Sequence, residues 1–134
     1  MEIDHIHSLV TDIVDLEQQG ASLSAGWLQF ERGDSEDIEK LHTLSDRSHQ
    51  RLSELSARLE DILGRLQPSE ERRRMEQAYN ITQELLQSRT ANQSLLTKML
   101  SSDQEFYEYF RALAIKEQAA QKQSKQLEEL LRLS

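Results

Sequence analysis

Glu39-Lys40-Leu41-His42 sets a carboxylate and an imidazole three residues apart, and Asp46-Arg47-Ser48-His49 repeats the spacing one heptad later. On a helix, residues three apart share a face. Glu-x-x-His pairs on two helices, joined by a glutamate from each of two others, bind two iron ions in four-helix carboxylate proteins. That chemistry needs ligands that point inward. Ile38 and Leu41 take the inward positions of this segment, which puts Glu39 outside and His42 at the edge. No inward position supplies the core glutamates that a metal pair requires, so no metal is expected. His5 and His7 are two residues apart and cannot share a helix face. There is no Gly-rich phosphate loop, no Ser/His/Asp set held close together, and no cysteine for thiol or thiolate chemistry. Arg72-Arg73-Arg74 is the one basic run. It stands beside Glu70, Glu71 and Glu76 and reads as a solvated, ion-paired face rather than a nucleic-acid contact. The expectation is a protein that is not an enzyme and carries no cofactor.

Recognition chemistry is better represented. Residues 95–113 hold Leu95, Leu96, Met99, Leu100, Phe106, Tyr107, Tyr109, Phe110 and Leu113, and four of the seven aromatic residues fall within 106–110. Aromatic groups on three sides of one helix cannot all be buried against one pair of neighbours. Exposed apolar patches mark partner sites, and Tyr, Phe and Met are enriched there. Asn92, Leu95, Leu96, Met99, Leu100, Phe106, Tyr107, Phe110 and Leu113 are therefore the candidate partner-binding residues. Asn92 lies on the inward stripe, where its amide can bond a partner backbone or fix helix register.

Helices must position these groups. Steps of three and four run through Ile6, Leu9, Ile13, Leu16, Gly20, Leu23, Trp27 and Phe30, which predicts a helix over 3–32. Gly33 ends it, and Asp34 or Ser35, followed by Glu36 and Asp37, starts the next. A second stripe, Ile38, Leu41, Ser45, Ser48, Leu52, Leu55, Leu59, Ile62 and Leu66, predicts a helix over 35–66. The short connection makes the two antiparallel neighbours. Gln67-Pro68-Ser69 is the second break. The third stripe reads Met75, Ala78, Thr82, Leu85, Arg89, Asn92, Leu96, Met99, Asp103, Phe106, Phe110 and Leu113. It predicts a long helix over 69–115. Ser102 and Glu105 have capping-box spacing, so a break at 101–105 is the alternative. The Gln- and Lys-rich residues 116–134 read as a flexible C-terminal tail, partly disordered or helical. The expected fold is all-α: an antiparallel three-helix bundle or coiled coil over 1–115 with a long third helix.

Composition agrees with an all-helical chain. The 134 residues include one proline, four glycines and no cysteine, with 37% hydrophobic and 30% charged residues. This length suits one domain. The net charge of −8 lies wholly in residues 1–67, with 6 basic and 14 acidic groups, while 68–134 balance at 10 and 10. The acidic start Met1-Glu2-Ile3-Asp4 does not read as a signal peptide, and no run of 18 apolar residues suggests a membrane span. Asn80-Ile81-Thr82, Asn92-Gln93-Ser94 and Arg32-Gly33-Asp34 match glycosylation and adhesion patterns by chance under this reading, and a cytoplasmic location is expected.

Three stretches resemble the FlgN family of flagellar type III export chaperones. They are Leu28-Gln29-Phe30-Glu31-Arg32-Gly33-Asp34, then Leu41 through Arg47 to Leu52-Ser53-Glu54-Leu55, and Arg89-Thr90-Ala91-Asn92-Gln93-Ser94-Leu95-Leu96. The resemblance covers about residues 5–113. Arg47 stands where the family often has Lys, and the Lys/Gln tail departs from the family's Gly- and Tyr-containing one. The resemblance implies a chaperone that binds the amphipathic C-terminal segment of hook–filament junction proteins. It would keep that cargo unpolymerised and bring it to the export apparatus, as a monomer or weak homodimer, with no nucleic-acid or membrane partner. The FliT-type chaperone of the filament cap is the near alternative, and a structural coiled-coil subunit is one of another class.

Overall fold

The computed structural model describes residues 2–30, 35–100 and 107–132; the side chains of residues 2, 29, 30, 35, 107 and 108 lie outside that description. The helices are α1 (Glu2–Ser24), the single turn α2 (Trp27–Phe30), α3 (Ser35–Leu63), α4 (Glu70–Leu100) and α5 (Tyr107–Arg132). Among the described residues all regular structure is helical.

Local chemistry sets several boundaries. Ala25 and Gly26 form a turn that ends α1 short of residue 32. There the Ala25 amide donates to the Ser22 carbonyl and the Leu28 amide to that of Ala25. Ser69 caps α4, its Oγ accepting the Arg72 amide at 3.1 Å. Arg72 closes the same connection from the other side. Its guanidinium donates to the carbonyls of Leu63 (2.7 Å) and Leu66 (2.6 Å), groups that the end of α3 leaves without helical partners. It also pairs with Glu76 at 3.0 Å.

The four long helices form an up-down-up-down bundle. α1 packs on α3, α3 on α4, α4 on α5, and α5 returns to α1. Cross-helix contacts fix the directions. Gln83 reaches Ser56 and Thr97 reaches His42. Gln123 reaches Glu84, Gln118 reaches the Ala21 carbonyl, and His7 donates to that of Leu131. Between α1 and α3, His5 reaches Glu54 and Ser48 reaches Glu17, and between α4 and α5 Asn92 also reaches Glu117. Along each pair of helices one number falls as the other rises, so every neighbour is antiparallel.

This corrects the three-helix expectation. The long helix of 69–115 is two antiparallel helices, and residues 116–132 belong to the fourth wall of the bundle rather than to a flexible tail. The coiled coil is replaced by a four-helix bundle. Its wider interior takes in Val10, Glu17, Ala21 and Ser24 of α1, one position beside the predicted stripe. On α5 the inward stripe is Phe110, Leu113, Glu117, Ala120, Ser124, Leu127 and Leu131, with the buried Ala114 beside it. The three-four spacing is unbroken, but small and polar residues fill its middle, so a search for large apolar groups passes over it. The expected break at 101–105 lies outside the described residues.

The interior has two apolar parts. The proximal one gathers Ile6, Leu9, Val10, Ile13, Leu52, Leu55, Leu59, Met75, Ala78, Leu85, Ala120, Leu127 and Leu131. The distal one gathers Trp27, Ile38, Leu41, Leu96, Met99, Phe110, Leu113 and Ala114. Trp27 meets Phe110 edge-to-face, with centroids 5.0 Å apart and planes at 72°. This contact ties α2 to α5.

Candidate functional site: a buried arginine layer and an acidic groove

Between the two apolar parts lies a charged layer. Arg89 of α4 is 2% exposed, while Glu17 of α1 and Glu117 of α5 are fully buried. A guanidinium has five N–H groups in a fixed fork, and here each one has an acceptor. Nε donates to Glu17 Oε1 at 2.9 Å. Nη2 donates to Glu17 Oε2 and to Glu117 Oε2, the latter at 2.7 Å. Nη1 donates to Glu117 Oε1 at 2.6 Å and reaches Ser45 Oγ of α3 at 3.5 Å. Ser48 donates to Glu17 Oε1 at 2.5 Å, and Asn92 Nδ2 donates to Glu117 Oε1 at 3.2 Å. The layer thus joins all four long helices.

Burial by itself would lower the pKa of Arg89. The hydrogen bond to Glu117 and the charges of Glu17 and Glu117 outweigh it and hold the guanidinium above its ordinary value. The proton therefore stays on Arg89 throughout the working pH range. Gly20 makes room for the pair: a Cβ there would lie 2.9 Å from Glu117 Oε2. The Asn92 Oδ1 is buried without a hydrogen-bond partner.

Core glutamates therefore do exist, contrary to the sequence reading. Glu17 falls one position beside the predicted α1 stripe, and Glu117 falls in the predicted tail. They meet a cation of the chain itself. Among the described residues no three of His, Asp and Glu gather as metal ligands.

The predicted partner-binding residues divide. Asn92, Leu96, Met99, Phe110 and Leu113 are interior, because α5 folds back and covers the face that three helices would leave open. Leu95 is half-buried against the distal cluster, and Leu100 is 39% exposed. Phe106 and the Tyr107 side chain lie outside the described residues. The seven whose side chains are described do not form one open surface.

An open surface is found between α1 and α3. A groove of about 970 Å³ is lined by Asp15, Gln18, Gln19, Ser22 and Leu23 from α1 and by Glu36, Glu39, Lys40, Thr43 and Leu44 from α3. Leu23 and Leu44, both half-buried, give it an apolar floor. Because the helices are antiparallel, Asp15 stands toward the middle of the bundle and Glu36 and Glu39 toward its distal end. The sequence contains the signal for this rim, the acidic first half, but periodicity alone does not say which helices stand side by side. No protein-family model, no curated protein and no solved structure matches the chain.

Proposed function

We propose that this protein is a non-catalytic binding module of the flagellar export chaperone kind, acting in the cytoplasm. Its cargo is the amphipathic C-terminal segment of a hook–filament junction protein, which it keeps unpolymerised and passes to the export apparatus. The observation that carries this reading is the α1–α3 groove, an open apolar-floored channel on a rigid helical scaffold. Helix-in-groove recognition needs that combination. A cargo segment that orders on binding binds less tightly per unit of contact, which favours later release.

Several residues that carry the family resemblance belong to the core. Leu41, Leu52, Leu55 and Leu96 are interior, and Arg89 and Asn92 belong to the charged layer. Their shared pattern is one of bundle construction, with the groove on the outside of it. No helix among the described residues is long and apolar enough to cross a membrane.

The test is co-expression with a hook–filament junction protein and, separately, with a filament-cap protein, followed by gel filtration and calorimetry. A complex with the junction protein that is lost on deleting the cargo's C-terminal segment is the expected result. A complex with the cap protein alone moves the assignment to that cargo, and failure of both overturns the reading.

A further inference from the structure

Charge gives the groove a more specific occupant. Residues 2–24 contain no Lys or Arg, so α1 offers its side of the groove no cation. Among its described lining residues the groove holds three carboxylates, Asp15, Glu36 and Glu39, and one cation, Lys40. Lys40 is already paired with Glu36, Nζ to Oε1 at 3.3 Å. Among the described residues Asp15 accepts only the neutral amide of Gln19, at 3.0 Å. Among the described residues Glu39 has no ion pair, and its backbone carbonyl accepts the Thr43 hydroxyl. Two exposed carboxylates with no ion pair among the described residues thus stand at opposite ends of an apolar floor made by Leu23 and Leu44.

Resting on the reading of this groove as the cargo site, we propose that its occupant is a short amphipathic helix carrying lysine or arginine along one flank. At 1.5 Å per residue the lining from Asp15 to Leu23 extends about 12 Å, a little over two helical turns. Leucine-like side chains spaced i, i+3, i+7 on the incoming helix pack on Leu23 and Leu44. Basic residues about two turns apart then reach Asp15 and Glu39. The apolar contacts hold the helix. The two charge pairs, which are solvent-exposed and individually weak, set its orientation and select against acidic segments.

The probe is a synthetic amphipathic helix of roughly 18 residues, about 27 Å long and so longer than the groove. It is made with lysines on one flank and again with glutamates there. Fluorescence anisotropy against the full chain should show the lysine helix bound about ten-fold or more tightly than the glutamate helix at low salt, with the difference shrinking as salt is added. The double variant Asp15→Lys with Glu39→Lys should reverse the preference. Both positions are exposed, and a circular-dichroism melt checks that the variant keeps its fold. Equal binding of the two helices, or a preference that the double variant leaves unchanged, overturns the proposal. A light-scattering mass that doubles with concentration, and does so only with the native carboxylates, makes a second copy of the chain the occupant and also overturns it. The cargo segment of a junction protein is measured alongside. If the lysine helix binds and that segment does not, the groove chemistry stands and the cargo assignment falls. If that segment binds with no loss in the double variant, the cargo assignment stands and the groove chemistry falls.

Discussion

Arg89 concentrates the energetics of the molecule in one side chain. Two carboxylates fully removed from water depend on it for their countercharge. Replacing Arg89 by Met leaves Glu17 and Glu117 buried and uncompensated, and chemical denaturation should show a loss of about 3–5 kcal/mol. Replacing all three together, Glu17→Leu, Arg89→Met and Glu117→Leu, removes the desolvation cost along with the attraction. That variant should be as stable as the parent or more so, by up to about 4 kcal/mol, in the same measurement. If the triple variant is as damaged as the single one, the layer contributes net stability and this account fails. The pH dependence follows from the direction of the Arg89 shift. Its folded-state value is raised above that of an ordinary guanidinium. The stability it contributes is therefore fully present below that value and is lost only as pH rises beyond it. The guanidinium should add no slope to stability between about pH 5 and pH 9, a window far below its titration.

At the level of elements, α5 is the helix that the sequence concealed and the fold requires. From Glu117 onward it places Glu117, Ala120, Ser124, Leu127 and Leu131 in the interior. A chain ended after residue 115 loses Glu117, one of the two charge partners of Arg89, and uncovers the proximal core along α1 and α4. It should lose cooperative thermal unfolding, and near-ultraviolet circular dichroism should show the loss of fixed packing around aromatic residues. Retention of a sharp transition by that truncated chain would restore the picture of a tail. Leu127→Ala is the milder form of the same test, with an expected loss of about 2–5 kcal/mol for a large side chain removed from a closed core. The helices that were legible had large apolar groups on their stripe. On α3 the predicted positions from Ile38 to Leu59 are all buried, as are those on α4 from Met75 to Met99. On α1 the predicted stripe includes Leu16 and Leu23, which are only half-buried, while Glu17 and Ser24 are interior. Apolar periodicity cannot register an inward glutamate, because what makes its burial tolerable is a cation 72 residues away.

Across the whole molecule, the charged layer divides a larger proximal core from a smaller distal one. Regions with fewer buried apolar contacts open at lower free energy than the global transition. Native-state hydrogen exchange should therefore give lower opening free energies for amides around Trp27, Leu41, Leu96 and Leu113 than for those around Ile13, Leu55 and Leu85. In the apolar triple variant the two sets should converge, since a continuous core no longer has a polar boundary. Uniform exchange across the native bundle would mean that the layer couples the two halves rather than separating them.

The sequence by itself determined the helical class, the break at Gln67-Pro68-Ser69, the start of α3 at Ser35, the acidic character of the first half, and the inward faces of α3 and α4. These follow from local rules: helix periodicity, proline and glycine placement, capping, and charge count. The tertiary structure decided that there are four walls, that Asn92, Leu96, Met99, Phe110 and Leu113 are covered, and that Glu17, Arg89 and Glu117 meet. It also decided which two acidic helices flank a groove. Each of these depends on groups distant in the chain coming together, and the preference of a side chain for the interior is fixed only when its partner there is known.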